Sequence, residues 1–93
     1  MAFLSNMTAT DGREYLNAYV KVIPTVCNTQ HGCSMALEVW DSRASKEAGY
    51  ACNFTTAHNL AFNANLPSVN AVDYAYQLLE DSGIYPDATW NVN

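Results

Sequence analysis

Two stretches of the chain alternate between apolar and polar positions. In "YLNAYVKVIPTV", Leu16, Ala18, Val20 and Val22 fall on one side of an extended backbone, and Tyr15, Asn17, Tyr19 and Lys21 on the other. Period two in a run rich in β-branched and aromatic residues predicts a strand over about 14–23. Pro24 lacks the amide a ladder needs, so the strand ends there or lies at an edge. "CNTQHGC" reads as a turn, with Asn28 and Gly32 at positions that favour positive φ. "SMALEVWDS" predicts a second strand over about 34–41, with Met35, Leu37 and Val39 pointing one way and Ala36, Glu38 and Trp40 the other. "DSRASKEAG" is polar and reads as an exposed hairpin connection. "YACNFTTA" predicts a third strand over about 49–56, with Tyr50, Cys52 and Phe54 on one face. In "HNLAFNANLPS" the pattern weakens: Leu60, Phe62 and Leu66 favour burial, while the asparagines favour irregular backbone.

The period then changes. Val69, Val72, Ala75, Tyr76 and Leu79 form one helical stripe, which predicts a helix over about 69–82. Ser68, after Pro67, is the expected N-cap. Asp73 sits on the favourable side of the helix dipole, and Gly83 is the expected left-handed residue beyond the last turn, with Ile84 folding back. Val72, Tyr76 and Leu79 are expected to hold the helix to the sheet. The order of elements predicts a single α+β domain over 1–93: a small curled antiparallel β-sheet, or a partial barrel or sandwich, with one C-terminal α-helix packed on it. The last segment, 84–93, carries Ile84, Tyr85, Trp90 and Val92 with Asp87 as its only charged side chain. Apolar area of that kind is costly to leave in water, so the tail is expected to dock, onto its own domain or onto a neighbouring subunit.

Composition sharpens this picture. Of 93 residues, 14% are charged and 49% hydrophobic, with a net charge of −5. A surface short of charge and rich in Asn, Thr and Tyr suits contact with other protein. Arg13, Lys21, Arg43 and Lys46 are scattered and form no stripe for phosphates, which argues against nucleic acid and against an anionic membrane surface. No apolar run has the length of a membrane span. "MAFLSNMTAT" lacks the cationic start of a signal peptide, so the chain reads as mature and made in the cytoplasm. Three cysteines, Cys27, Cys33 and Cys52, are an odd number for a disulfide framework and are expected to be free thiols.

Candidate chemistry is sparse. Cys27, His31, Cys33, Cys52 and His58 have metal-binding atoms, but their spacing fits no usual zinc site, and Cys52 alternates with Tyr50 and Phe54 as a small buried hydrophobe does. A cysteine beside His31 in a turn has neither an orienting third group nor oxyanion donors. Glu80 and Asp81 are adjacent on a helix and project apart. No glycine-rich phosphate loop is present. Tyr15 and Tyr19 share a strand face and offer stacking for a base or sugar; without basic neighbours, packing under a loop or another subunit fits them better. The sequence therefore predicts no catalytic residues, no cofactor and no metal.

Ala75-Tyr76-Gln77-Leu78-Leu79, followed by Ile84-Tyr85-Pro86-Asp87-Ala88-Thr89-Trp90-Asn91-Val92, resembles the close of small structural proteins encoded among the virion genes of tailed bacteriophages. The strand pattern of "YLNAYVKV" and "MALEVWDSRASKEAGYACNFT" is similar to theirs more loosely. The resemblance implies a virion component made in the host cytoplasm: a capsid cement, neck, tail or baseplate protein. It would be non-enzymatic and present in many copies, contacting copies of itself and neighbouring virion proteins. Tyr15, Tyr19, Trp40, Tyr85 and Trp90 are the candidate interaction residues. The alternative class is a small accessory or regulatory domain that binds a single protein partner.

Overall fold

The computed structural model describes residues 2–28, 32–61 and 71–92. In chain order the elements are β1 (Ala2–Thr8), β2 (Glu14–Asn28), β3 (Gly32–Trp40), α1 (Arg43–Glu47), β4 (Phe54–Leu60), α2 (Ala71–Ser82) and β5 (Thr89–Val92). The strands form one antiparallel sheet in the order β4-β3-β2-β1-β5, with β4 and β5 outermost among the described residues. The class is α+β, as expected, but the long helix is not the last element: the chain leaves α2 and returns to the sheet as β5. Ser68, the expected N-cap, and Val69, His31, Phe62 and Leu66 lie outside the described residues.

β3 carries the pattern most plainly. Met35, Leu37 and Val39 are at most 1% exposed and face α2. β2 follows the expected alternation only from Ala18 onward. Asn17 adopts φ 54, and the register with β1 slips between Ser5 and Met7. Leu16 and Asn17 together face Asn6, whose Oδ1 accepts the Asn17 N–H at 2.9 Å. An extra residue in one strand reverses every side chain before it. Tyr15 therefore turns toward the core, and Leu16, expected beside Ala18, stands 73% exposed.

The start of the chain is a strand of the sheet. Phe3 and Met7 join the helix-side core, while Ala2 packs on the other side with Tyr19 and Trp40. Only the first residues of β1 are covered on both faces: Ala2 and Phe3 are both buried, whereas Asn6 and Thr8 are exposed opposite Ser5 and Met7.

The segment after β3 departs from expectation. The polar connection contains α1, capped by Ser42, whose Oγ accepts the Ser45 N–H at 3.2 Å. The third strand, expected over 49–56, begins only at Phe54. Asn53 closes the excursion: its Oδ1 accepts the Asp41 N–H at 2.9 Å, and its own N–H donates to the Val39 carbonyl at 2.7 Å. Trp40 Nε1 donates to the Tyr50 carbonyl at 2.8 Å. Those bonds hold 50–53 across the sheet end instead of in the ladder, so Tyr50 is exposed and Cys52 lies beside Trp40.

α2 buries Tyr74, Ala75, Tyr76, Leu78 and Leu79. Val72, expected in the stripe, is 44% exposed and does not hold the helix down. Tyr76 does so by a bond as well as by area. Among the described residues β1 pairs with β2 up to Val20, and the Val22 N–H beyond that point donates to the Tyr76 hydroxyl at 2.9 Å. The phenol replaces the missing strand partner of a buried amide. Burial raises its pKa above the ordinary value, so it stays neutral. Gly83 takes φ 73 just past the helix, where a side chain would be strained, while Ile84 stays 42% exposed instead of folding back fully.

The expectation of three free thiols is overturned. Cys33 is disulfide-bonded, and Cys52 is free. Cys27 is the Cα partner of Cys33 across β2 and β3. An odd count leaves room for one bridge and one thiol.

The observed face of α2 sets a testable contrast. Leu79→Ala should lower the unfolding free energy by about 2–5 kcal/mol, whereas Val72→Ala should cost less than about 1 kcal/mol. Urea denaturation of both variants measures the difference, and equal losses would show the helix rotated from this position.

Candidate interaction surface

The five aromatic candidates are all engaged within the chain. Tyr19 and Trp40 are 8% and 6% exposed, their rings edge to face with centroids 6.1 Å apart. Lys46 Nζ lies 6.0 Å from the Trp40 ring centre. Tyr15 is half-buried, 5.4 Å from Phe54. Tyr85 and Trp90 are half-buried against Phe3, at 5.5 Å and 4.4 Å. The structure thus brings Tyr19 to Trp40, and Tyr85 and Trp90 each to Phe3, on opposite sides of the sheet. The tail lies on its own domain: β5 pairs with β1, Ala2 opposite Val92 and Leu4 opposite Thr89.

Beside the tail, His58 on β4 faces Tyr85, with Nε2 2.8 Å from the phenol oxygen. Burial lowers the His58 pKa and raises that of Tyr85. A neutral imidazole with Nε2 unprotonated accepts the Tyr85 O–H. The pair is a neutral clasp between β4 and the tail.

The two faces of the sheet differ. α2 and the tail cover one. On the other, residues 41–53 reach only the end, where Tyr19, Trp40, Ala2, Leu4 and Cys52 cluster. Beyond that cluster the residues stand in cross-strand rows: Lys21, Glu38 and Thr55; then Ile23, Ala36 and Ala57; then Ser34 and Asn59, joined by a Ser34 Oγ–H bond to Asn59 Oδ1 of 2.6 Å. Each of these side chains is exposed or half-buried. Lys21 and Glu38 are directly opposed and offset one another, so the face has apolar spots and little net charge. Further apolar area is exposed at Leu16, Val26, Tyr50 and Ile84. A shallow hollow of roughly 380 Å³ opens at the far end between Val26, Ser34, Asn59 and Leu60.

The sequence reading missed this surface. It chose aromatic residues as anchors, and burial took them. The signal present was the polar half of the β3 alternation, with Ala36 and Glu38 facing away from the core, and the uncharged run that became β4. Among the described residues no group of His, Cys, Asp or Glu is placed to hold a metal ion, and no helix is long and apolar enough to cross a membrane. No family model, curated protein or solved structure matches the chain.

Two outcomes follow from the clasp and the tail. The His58 pKa is lowered on folding, so the unfolded chain takes up the proton first. Stability is full above the ordinary imidazole value of about 6.5 and falls as pH drops below it, until the folded pKa is passed. His58→Gln should flatten that part of a stability–pH curve followed by chemical denaturation. Trp90→Ala should destabilise the fold by about 2–3 kcal/mol, since a half-buried ring stacked on Phe3 is uncovered. A melting temperature unchanged in that variant would mean that the tail contributes nothing to the monomer.

Proposed function

We propose that this chain is a non-enzymatic structural subunit that works by protein–protein contact in a multi-copy assembly. The observation that carries the reading is the one-sided cover of the sheet. α2 and the tail close one face, while no element among the described residues covers the Lys21–Glu38–Thr55 and Ile23–Ala36–Ala57 rows on the other. A half-covered sheet with balanced charge is suited to burial against another protein surface. The four basic residues in the chain give no footprint for nucleic acid or an anionic membrane.

The assembly we propose is the virion of a tailed bacteriophage, with the chain as a capsid cement, neck, tail or baseplate protein. The resemblance of the Ala75–Val92 stretch supports this. The bridged Cys33 fits a particle that spends time outside the reducing cytoplasm in which it is made. Its partners would be further copies of itself and neighbouring virion proteins.

Sedimentation velocity over a concentration series tests the assembly. Species heavier than the monomer should grow with concentration, and a monomer throughout would overturn the reading. Peptides of the chain in purified phage particles test the location, and their absence would remove the virion proposal alone.

A further inference from the structure

We propose that β4 is a self-pairing edge, through which two copies join antiparallel along Phe54–Leu60 about a two-fold axis at Ala57. The inference rests on the assembly reading above and names its contact. It starts from a difference between the two edges of the sheet. β5 is four residues long, and its pairing with β1 is irregular between Ala2 and Leu4. A short, irregular strand is a poor template for another chain. β4 is seven residues long and stays in unbroken register with β3 from Cys33–Leu60 to Val39–Phe54. Its sequence, "FTTAHNL", has no proline, glycine, lysine or acid. None of the sequence features that commonly guard an edge is present in it.

The occupant is a second copy because the strand complements itself. Antiparallel pairing about Ala57 sets Phe54 of each copy against Leu60 of the other, Thr56 against His58, and Thr55 against Asn59. On the helix side Phe54–Leu60 sets apolar against apolar and Thr56–His58 sets polar against polar; on the other side Thr55 meets Asn59 around the Ala57 pair. Two copies of net charge −5 repel, and this edge brings no formal charge onto the axis. The Ile23–Ala36–Ala57 row would run on through the second Ala57, giving one open face across both copies. Pairing like with like at one edge closes a dimer, whereas joining β4 to β5 would propagate a filament. A seven-residue strand pair is a small interface, so the dimer is weak and concentration-dependent. Repeated over a multi-copy particle, such contacts reinforce one another.

Opposed residues of an antiparallel pair have Cα atoms about 4.5–5.5 Å apart, within the span of a disulfide. The experiment uses the full chain with Cys52→Ser, to remove the free thiol. Ala57→Cys should form a covalent dimer under mild oxidation several-fold faster than Asp11→Cys, an exposed turn position that reports random collision. Thr55→Cys and Asn59→Cys should cross-link to each other when mixed, and poorly to themselves. Ala57→Lys should reduce self-association in sedimentation while circular dichroism stays native, since position 57 is exposed. An Ala57→Cys rate no greater than that of Asp11→Cys, or a folded Ala57→Lys variant that associates like the wild type, would overturn the proposal. If the wild type still associates in that case, the edge is wrong and the assembly reading stands. A wild type that stays monomeric and gives no trapped dimer overturns both.

Discussion

One helix has to cover one face of a five-stranded sheet, and it is too narrow for the task. α2 has 12 residues, so it is about 18 Å long but only about 10 Å wide with its side chains. Its Tyr74, Ala75, Tyr76, Leu78 and Leu79 share one core with Val20, Val22, Leu37 and Val39 and with Phe3 of β1. The segment after α2 supplies the missing cover. Tyr85, Ala88 and Trp90 pack against that core, and β5 then pairs with β1. Aromatic residues at the end of the chain follow from this need, since a polar terminus would leave Phe3 in water.

The same constraint explains Tyr76. β2 is longer than β1, so its amides past Val20 have no strand partner on that side among the described residues. A leucine at 76 would fill the space and leave the Val22 N–H unsatisfied, at a cost of about 1–3 kcal/mol. The phenol supplies area and an acceptor together, 2.9 Å from that nitrogen. Val72, a turn earlier on the helix, has no such task and stands in solvent.

Alternation was legible wherever a strand has one buried and one open face. β3 is the clearest case, and β2 from Ala18 onward the next. It failed where local bonds compete with the ladder. Asn17 in the left-handed region and the Asn6 side chain make a bulge that turns Leu16 outward. Asn53 and Trp40 draw 50–53 out of the sheet by side-chain bonds to backbone groups. β1 has no such alternation at its start, where Ala2 and Phe3 are both buried, and its buried face carries the polar Ser5 between Phe3 and Met7. The surface was harder to read than the core, since aromatic content says that a residue will bury area and not against what. Tyr19 and Trp40 found each other, and Tyr85 and Trp90 found Phe3.

That inward turn of the aromatics decides which surface remains for a partner. With the tail spent on β1, the described residues hold no loose apolar arm to lend to a neighbour. What is left is flat and nearly neutral: the rows through Lys21 and Ile23, and the β4 edge beside them. A flat face gives little affinity without anchors in pockets, whereas a strand edge gives directional backbone bonds and a fixed register. A protein with this surface is better fitted to being placed in an ordered array than to seizing one partner tightly. His58 ties the two parts together. It lies on β4 and meets Tyr85 of the tail, so the closure of the monomer's own core also fixes the strand through which copies would join.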